Sequence, residues 1–326
     1  MNLYEQQASN RRKTWLVMLA FVAFFLVIGF GFDAFYLGAA GGVVPIGTVI
    51  ALGVGSVSAV TSYFSGDRAV LLATAARPVE ELTATATDAD KLTLRQLQNV
   101  VDEMAIASGL PPPLVYVVPD ADPNAFATGR DPAHASLAVT RGLLDTLDRE
   151  ELQGVVAHEM SHIRNLDVRV MTIVAALVGA VALLADWARR GMMWGGGPRR
   201  RDRDDRGSGA AGVIFFAVWL IAILLAPLLA QLLAMMVSRR REYLADASGA
   251  ELTRNPLGLA RALEKIEAAA APTASVNRGT AHLCIADPLG RTMNLKDGAW
   301  ANLFASHPPM AARIAALKEM AFQGRT

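Results

Sequence analysis

One cysteine, Cys284, stands among 326 residues, so no disulfide can form within the chain and packing alone must hold it together. That scarcity suits a reducing compartment. Net charge is nearly absent as well: 31 Lys and Arg against 30 Asp and Glu leave +1. This removes the overall basic field by which nucleic-acid binders attract their partner, and no nucleic acid is expected. Charged residues of either sign make up only 19% of the chain against 53% hydrophobic, and they cluster around long charge-free runs. The pattern is that of an integral membrane protein.

The run from Trp15 to Phe32 has 18 residues without a charge, behind Arg11, Arg12 and Lys13. It is long enough to cross a bilayer and longer than a signal-peptide core, which predicts a retained anchor. A second run, residues 39–64, is rich in Gly, Ser and Val and gives way to Asp67 and Arg68. Small residues permit close helix packing, so the two runs predict a hairpin at 1–64 with Asp33 in its connector. The positive-inside rule places both outer ends in the cytoplasm.

From residue 65 to 169 the charges are interspersed, as in a water-exposed domain. Leu94, Leu97, Val100, Val101 and Met104 recur at helical spacing, and Gly109 with the prolines from Pro111 stops that helix. PLVYVVP and ASLAVT read as two strands of a minor sheet, and DADPNAFATGRDPAH between them is rich in turn residues. Asp148, Arg149 and Glu150 carry a helix-start signal ahead of GVVAHEMSHIRNLD.

On that helix His158 and His162 are four residues apart, so both imidazoles project from one face and can reach a single ion. Glu159 beside them can take a proton from an attacking water, which makes the stretch an HExxH zinc-hydrolase pattern. Two metal ligands need a third. In VSRRREYLADASG, Glu242 and Asp246 again lie four apart on one helix face. Glu242 completes the ligand set on this reading, with Asp167 and His282 as alternatives. Asp246 accepts the free N–H of a ligating histidine.

These segments, together with NAFATG at 124–129, AHEMSHIRNLD at 157–167, SRRREYLAD at 238–246 and SHPPMAARIAAL at 306–317, occur in the order found in the HtpX-like membrane zinc endopeptidases. Most of the chain resembles that family, which is related to the prenyl-protein (CAAX) endopeptidases. The resemblance implies one zinc per chain on His158, His162 and Glu242, Glu159 as general base and acid, and Asp246 in support. It also implies that NAFA is an edge strand on which extended peptides dock, making Asn124 and Ala125 substrate-side residues. In the prenyl-protein relatives the residues matching His307 and Arg313 face the reacting carbonyl. By propensity alone SHPP is equally a rigid turn. His134 and His282 have no comparable context.

Between the ligand segments lie two further apolar runs, Val170 to Ala185 and Val213 to Val237, joined by an Arg- and Gly-rich connector, 188–212, of composition that predicts disorder. Ligands on both sides must share a compartment, so 170–237 forms either two spans or a re-entrant hairpin. Two spans place the site at the membrane surface but export seven arginines between Arg189 and Arg206. The second part of the protease domain is then 238–326. The expected architecture is a mainly α integral membrane protein with a helical zincin-type domain and a small β-sheet. The expected activity is endoproteolysis of membrane or misfolded polypeptides, in quality control, at the cytoplasmic face of the bacterial inner membrane. The rival readings are a prenyl-peptide processing protease and a zinc-binding scaffold without catalysis.

Overall fold

Two long helices open the chain, α1 (Leu3–Tyr36) and α2 (Ile46–Ala73), in a computed structural model that describes residues 3–36, 45–195, 239–269, 275, 283–286 and 308–323. Among the described residues these are the two helices long and apolar enough to cross a membrane. Their outer faces carry exposed Leu19, Val27, Phe30, Ile50, Val57 and Phe64, a surface that suits lipid better than water. Asp33 does more than mark the connector. Sitting in the last turns of α1, its carboxylate accepts from Gly47 N–H (2.8 Å) and from Thr48 N–H and Oγ1–H (2.6 Å each). It thereby caps the otherwise orphaned first N–H groups of α2, which an apolar surrounding would penalise.

The second helix does not stop where its apolar run ends. It continues through Asp67 and Arg68 to Ala73, bringing Val70 and Leu71 onto the sheet. That sheet has four strands, adding one to the two read from pattern and the edge strand implied at NAFA: β1 (Arg77–Pro78), β2 (Leu114–Val118), β3 (Ala125–Gly129) and β4 (Ala135–Thr140), ordered β1-β2-β4-β3. β2 and β4, the two strands legible as alternating segments, are parallel neighbours, and β3 pairs antiparallel with β4 at the edge.

Side chains alternate across a strand, and here both faces are covered. Val115, Val117, Ala125, Ala127, Leu137 and Val139 enter the protease core, while Val118, Phe126 and Ala138 pack with Val70, Leu71, Met171 and Ala175. The sheet is thus the layer between the membrane helices and the protease helices. α3 (Val79–Thr85) precedes α4 (Asp88–Ser108), the predicted amphipathic helix, which is capped by Thr87 and closed by Gly109 at φ 67°.

α5 (Arg141–Thr146) leads to α6 (Arg149–Arg164), which carries His158 and His162 and begins with a complete capping box between Asp148 and Glu151. Leu166, at φ 59°, turns the chain through the left-handed region that costs a leucine energy, straight into α7 (Asp167–Gly195). The third apolar run is therefore the interior of one unbroken helix, packed on α1 through Val17, Phe21, Val170, Ile173, Val174 and Leu177. The connector from 196 and the fourth apolar run lie outside the described residues. α8 (Arg239–Thr253), α9 (Pro256–Ala268) and α10 (Met310–Gln323) complete the protease domain.

α9 crosses α6 at Gly154, where a Cβ would lie 2.8 Å from Leu259 N and 2.9 Å from its Cα. Both are backbone atoms, which cannot step aside. In an open helix Gly154→Ala would gain up to about 1 kcal/mol of helix propensity. At this crossing it is expected to cost about 1–3 kcal/mol, seen as a lower melting temperature in detergent. A variant that melts at or above the wild-type temperature would refute the close contact.

Candidate metal centre

Helix periodicity places His158 and His162 on one face of α6, with ring centroids 4.8 Å apart and their Nε2 atoms 3.2 Å apart. Glu242 approaches from α8, with Oε1 3.6 Å from His162 Nε2 and Oε2 3.8 Å from His158 Nε2. Ligands about 2.0–2.1 Å from a tetrahedral zinc stand about 3.3–3.4 Å from one another, so this triangle is close to the size one ion requires. The three residues form a cluster able to hold a metal ion, and all are buried. Gly249 makes the approach possible: a Cβ there would sit 3.0 Å from His158 N and 3.2 Å from its Cα.

Both histidines have a carboxylate behind them. Asp246 Oδ1 is 3.0 Å from His158 Nδ1, at an angle short of an aligned hydrogen bond. Asp167 Oδ2 lies 3.3 Å from His162 Nδ1. Asp167, which the sequence offered only as an alternative ligand, faces the side of His162 turned away from Glu242 and supports the ring. Such partners leave Nε2 as the nitrogen available to a metal ion. Arg313 in turn grips Asp246 with two parallel bonds, Nε to Oδ2 (2.8 Å) and Nη2 to Oδ1 (2.7 Å), and lies 3.4 Å from Glu242 Oε2 through Nη1.

Charge is concentrated here: Glu159, Asp167, Glu242 and Asp246 are buried beside the buried guanidinium groups of Arg241 and Arg313, with Lys13 within electrostatic reach of Asp167. Titration reflects that concentration. Burial works against a charged His162, but the hydrogen bond from Asp167 and the charges of Glu242, Asp167 and Glu159 outweigh it and push its pKa up to about 9. Burial alone would raise Asp246, yet the charge and hydrogen bonds of Arg313, with His158, hold it below the usual range. Those same carboxylates, Asp246 foremost, outweigh burial at Arg313 and keep it charged.

Glu159 sits next to this triangle without joining it. Burial raises its pKa, against the lowering effect of the two histidines and of the Ala127 N–H that it accepts. Among the described residues its Oε1 is buried without a hydrogen-bond partner. Leaving a carboxylate oxygen in that state is costly and marks a group set up to exchange a proton.

Asn124, Ala125 and Arg313 converge on two consecutive residues. Ile285 N–H donates to Ala125 O (2.9 Å), Arg313 Nη1 donates to Ile285 O (2.8 Å), and Asn124 Nδ2 donates to Ala286 O (3.2 Å). The edge strand is therefore not bare: the chain's own main chain lies against it at Ala125. His307 and His282 lie outside the described residues. His134 is half exposed and paired with Asp131 at 2.6 Å, away from the cluster. Sequence reasoning passed over Arg241, whose Nη1 is 3.3 Å from Asp167 Oδ1, and Asn10, whose amide also reaches Asp167. The one signal for either was adjacency, Arg241 being the neighbour of Glu242.

Comparison with known proteins gives the family. The pattern of the family described as Peptidase family M48 matches residues 91–321. A protease HtpX homolog of Caldanaerobacter subterraneus subsp. tengcongensis is 41% identical over 319 residues, 98% of each chain. One of Streptococcus thermophilus is 42% identical over 318 residues, 98% of this chain and all of the other. The crystal structure of S. mikatae Ste24p is similar at a TM-score of 0.47 and 15% identity, over 96% of this chain and 67% of that one. With the family match spanning both ligand helices and the relatives matching nearly end to end, the chain belongs to peptidase family M48, as a membrane metalloprotease of the HtpX group.

Proposed function

We propose that the chain is a zinc endopeptidase of the bacterial inner membrane, its site on the cytoplasmic face, cleaving membrane or misfolded proteins in quality control. The observation that carries the chemistry is the buried His158, His162 and Glu242 triangle with an unpartnered Glu159 oxygen beside it. Zinc held by those three residues supplies the Lewis acid that acidifies a water and polarises the scissile carbonyl. Glu159 takes the water's proton and delivers it to the leaving amine, a task suited to a carboxylate whose pKa burial has raised. Asp246 and Asp167 keep the imidazoles in the ligating tautomer.

Substrate is held by its main chain. Asn124, Ala125 and Arg313 now grip the backbone groups of Ile285 and Ala286, and a docking peptide takes over those bonds. Because Arg313 spends Nε and Nη2 on Asp246, Nη1 is the nitrogen it offers to a peptide carbonyl, with His307 proposed as the second oxyanion donor. Backbone recognition of this kind tolerates many sequences, which supports broad polypeptide substrates. α7 enters the site directly after α6, which supports a site at the membrane surface, with 170–237 crossing or re-entering the bilayer.

Glu159→Gln is expected to keep zinc at wild-type occupancy while cleavage of casein or a detergent-solubilised membrane protein falls by about 10²- to 10⁴-fold. Removing the metal with a chelator should stop the wild type, and added zinc should restore it. Near wild-type turnover in Glu159→Gln would end the proton-transfer assignment.

The pH dependence of metal uptake follows from His162. Its proton persists up to about 9 and must leave before Nε2 can ligate. Below that pH the proton competes, and apparent zinc affinity should fall by about tenfold per pH unit for one displaced proton. Zinc titrations from pH 6 to 9, corrected for buffer and chelator protonation, measure this. A flat profile would mean that His162 does not give up a proton to the metal.

A further inference from the structure

The start of α1 is anchored on the catalytic helix rather than on lipid. Asn10 is buried, 1% exposed, and its amide uses both hydrogens: Nδ2 donates to Asp167 Oδ1 at 2.8 Å and to Asn165 O at 2.9 Å. Three residues earlier, Gln7 Nε2 donates to Arg164 O at 2.8 Å. Arg164 and Asn165 close α6, so α1 satisfies terminal carbonyls that the helix itself leaves without partners. The more consequential bond is the one to Asp167. That carboxylate is fully buried, its other oxygen is 3.3 Å from His162 Nδ1, and it also receives Arg241 Nη1 at 3.3 Å from the residue beside Glu242.

A continuous chain of contacts therefore runs from a helix apolar enough to cross a membrane, through the Asn10 amide and the Asp167 carboxylate, to the His162 imidazole. A carboxylate orients an imidazole only as well as it is itself held. Arg241 contributes charge from one side. Asn10 contributes direction from the other, because a planar amide with two N–H groups fixed on Asn165 and Asp167 leaves the carboxylate little freedom to rotate.

We propose that Asn10 is a positioning residue for the metal centre: it fixes Asp167 so that His162 presents Nε2 toward His158 and Glu242. This rests on the metal reading above. The membrane anchor is then a working part of the site as well as a tether, and the metal affinity of the protease domain depends on the first turns of α1. The bland alternative is that Asn10 only ends α6. The two differ in whether its effect passes through Asp167.

A double-mutant cycle on full-length protein in detergent separates them, using zinc affinity by chelator competition, the visible absorption of the cobalt-substituted protein, and melting. Asn10→Leu should weaken zinc by about 10-fold and Asp167→Asn by about 10- to 100-fold, the range for removing an outer partner of a ligand. The pair should lose no more than Asp167→Asn alone, since coupled sites are non-additive. Asn10→Ala removes both donors without adding charge, so it too should weaken zinc and alter the cobalt spectrum, and it serves if Asn10→Leu fails to fold. Thr14→Val, at a buried threonine one turn on whose hydroxyl bonds only Asn10 O among the described contacts, should leave affinity unchanged. Unaltered affinity in both Asn10 variants, or losses that multiply with Asp167→Asn, would overturn the inference while leaving the metal reading intact. A wild type that retains no zinc, or the same zinc as His158→Ala, would overturn both.

Discussion

Four buried carboxylates, packed beside the buried guanidinium groups of Arg241 and Arg313, are the condition to which the rest of this fold answers. Buried charge is tolerated only when paired and hydrogen-bonded, and these carboxylates have such partners: Asp246 has the Nε and Nη2 of Arg313, Asp167 has Asn10 and Arg241, and Glu159 has a strand N–H. Glu242 stands across from the two imidazoles with Arg313 Nη1 3.4 Å behind it. The three side chains form a triangle of donor atoms of the size that a tetrahedral ion fills. The scarcity of charge elsewhere in the chain makes the concentration at this point more telling.

Bringing those groups together requires backbone to touch backbone. α8 meets α6 at Gly249 against His158, and α9 meets it at Gly154 against Leu259. These two contacts carry α6 into the centre of the domain, where nearly every residue from Leu152 to Ile163 is buried. A helix so enclosed cannot satisfy its own end, which is why Gln7 and Asn10 of α1 are recruited to the carbonyls of Arg164 and Asn165. The anchor thereby becomes inseparable from the site.

Much of the site was legible because helical spacing alone projects His158 with His162, and Glu242 with Asp246, onto shared faces. The start of α6 was legible too, from Asp148 and the glutamates after it, since capping is local chemistry. Long-range partners were not. Asp167 meets Arg241 across 74 residues and Asn10 across 157, and a polar residue before an apolar run reads simply as its solvated flank. β1 is two residues long and exists only because β2 offers it an edge, so no pattern announces it. The continuation of the second helix past Phe64 was not legible, because apolarity marks where lipid contact stops and says nothing of where backbone hydrogen bonding stops; Val70 and Leu71 carry the helix on by finding the sheet.

The edge strand shows how few groups of this site face outward on their own. Ala127 N–H goes to Glu159, Gly129 N–H to Thr172 of α7, and Ala125 O to Ile285. The first two bind Glu159, the proposed base, and α7 to the strand, so a peptide that displaced them would dismantle the site it came to use. The bond at Ala125 is of another kind, made by main chain to main chain and flanked by Asn124 and Arg313 on the same two residues. On the proposed reading this is where substrate enters, and its cost is one segment's contacts exchanged for similar ones. Recognition then depends on an extended backbone rather than on side chains, a property shared by any polypeptide that has lost its fold near the membrane. Breadth of substrate and economy of opening follow from the same three hydrogen bonds.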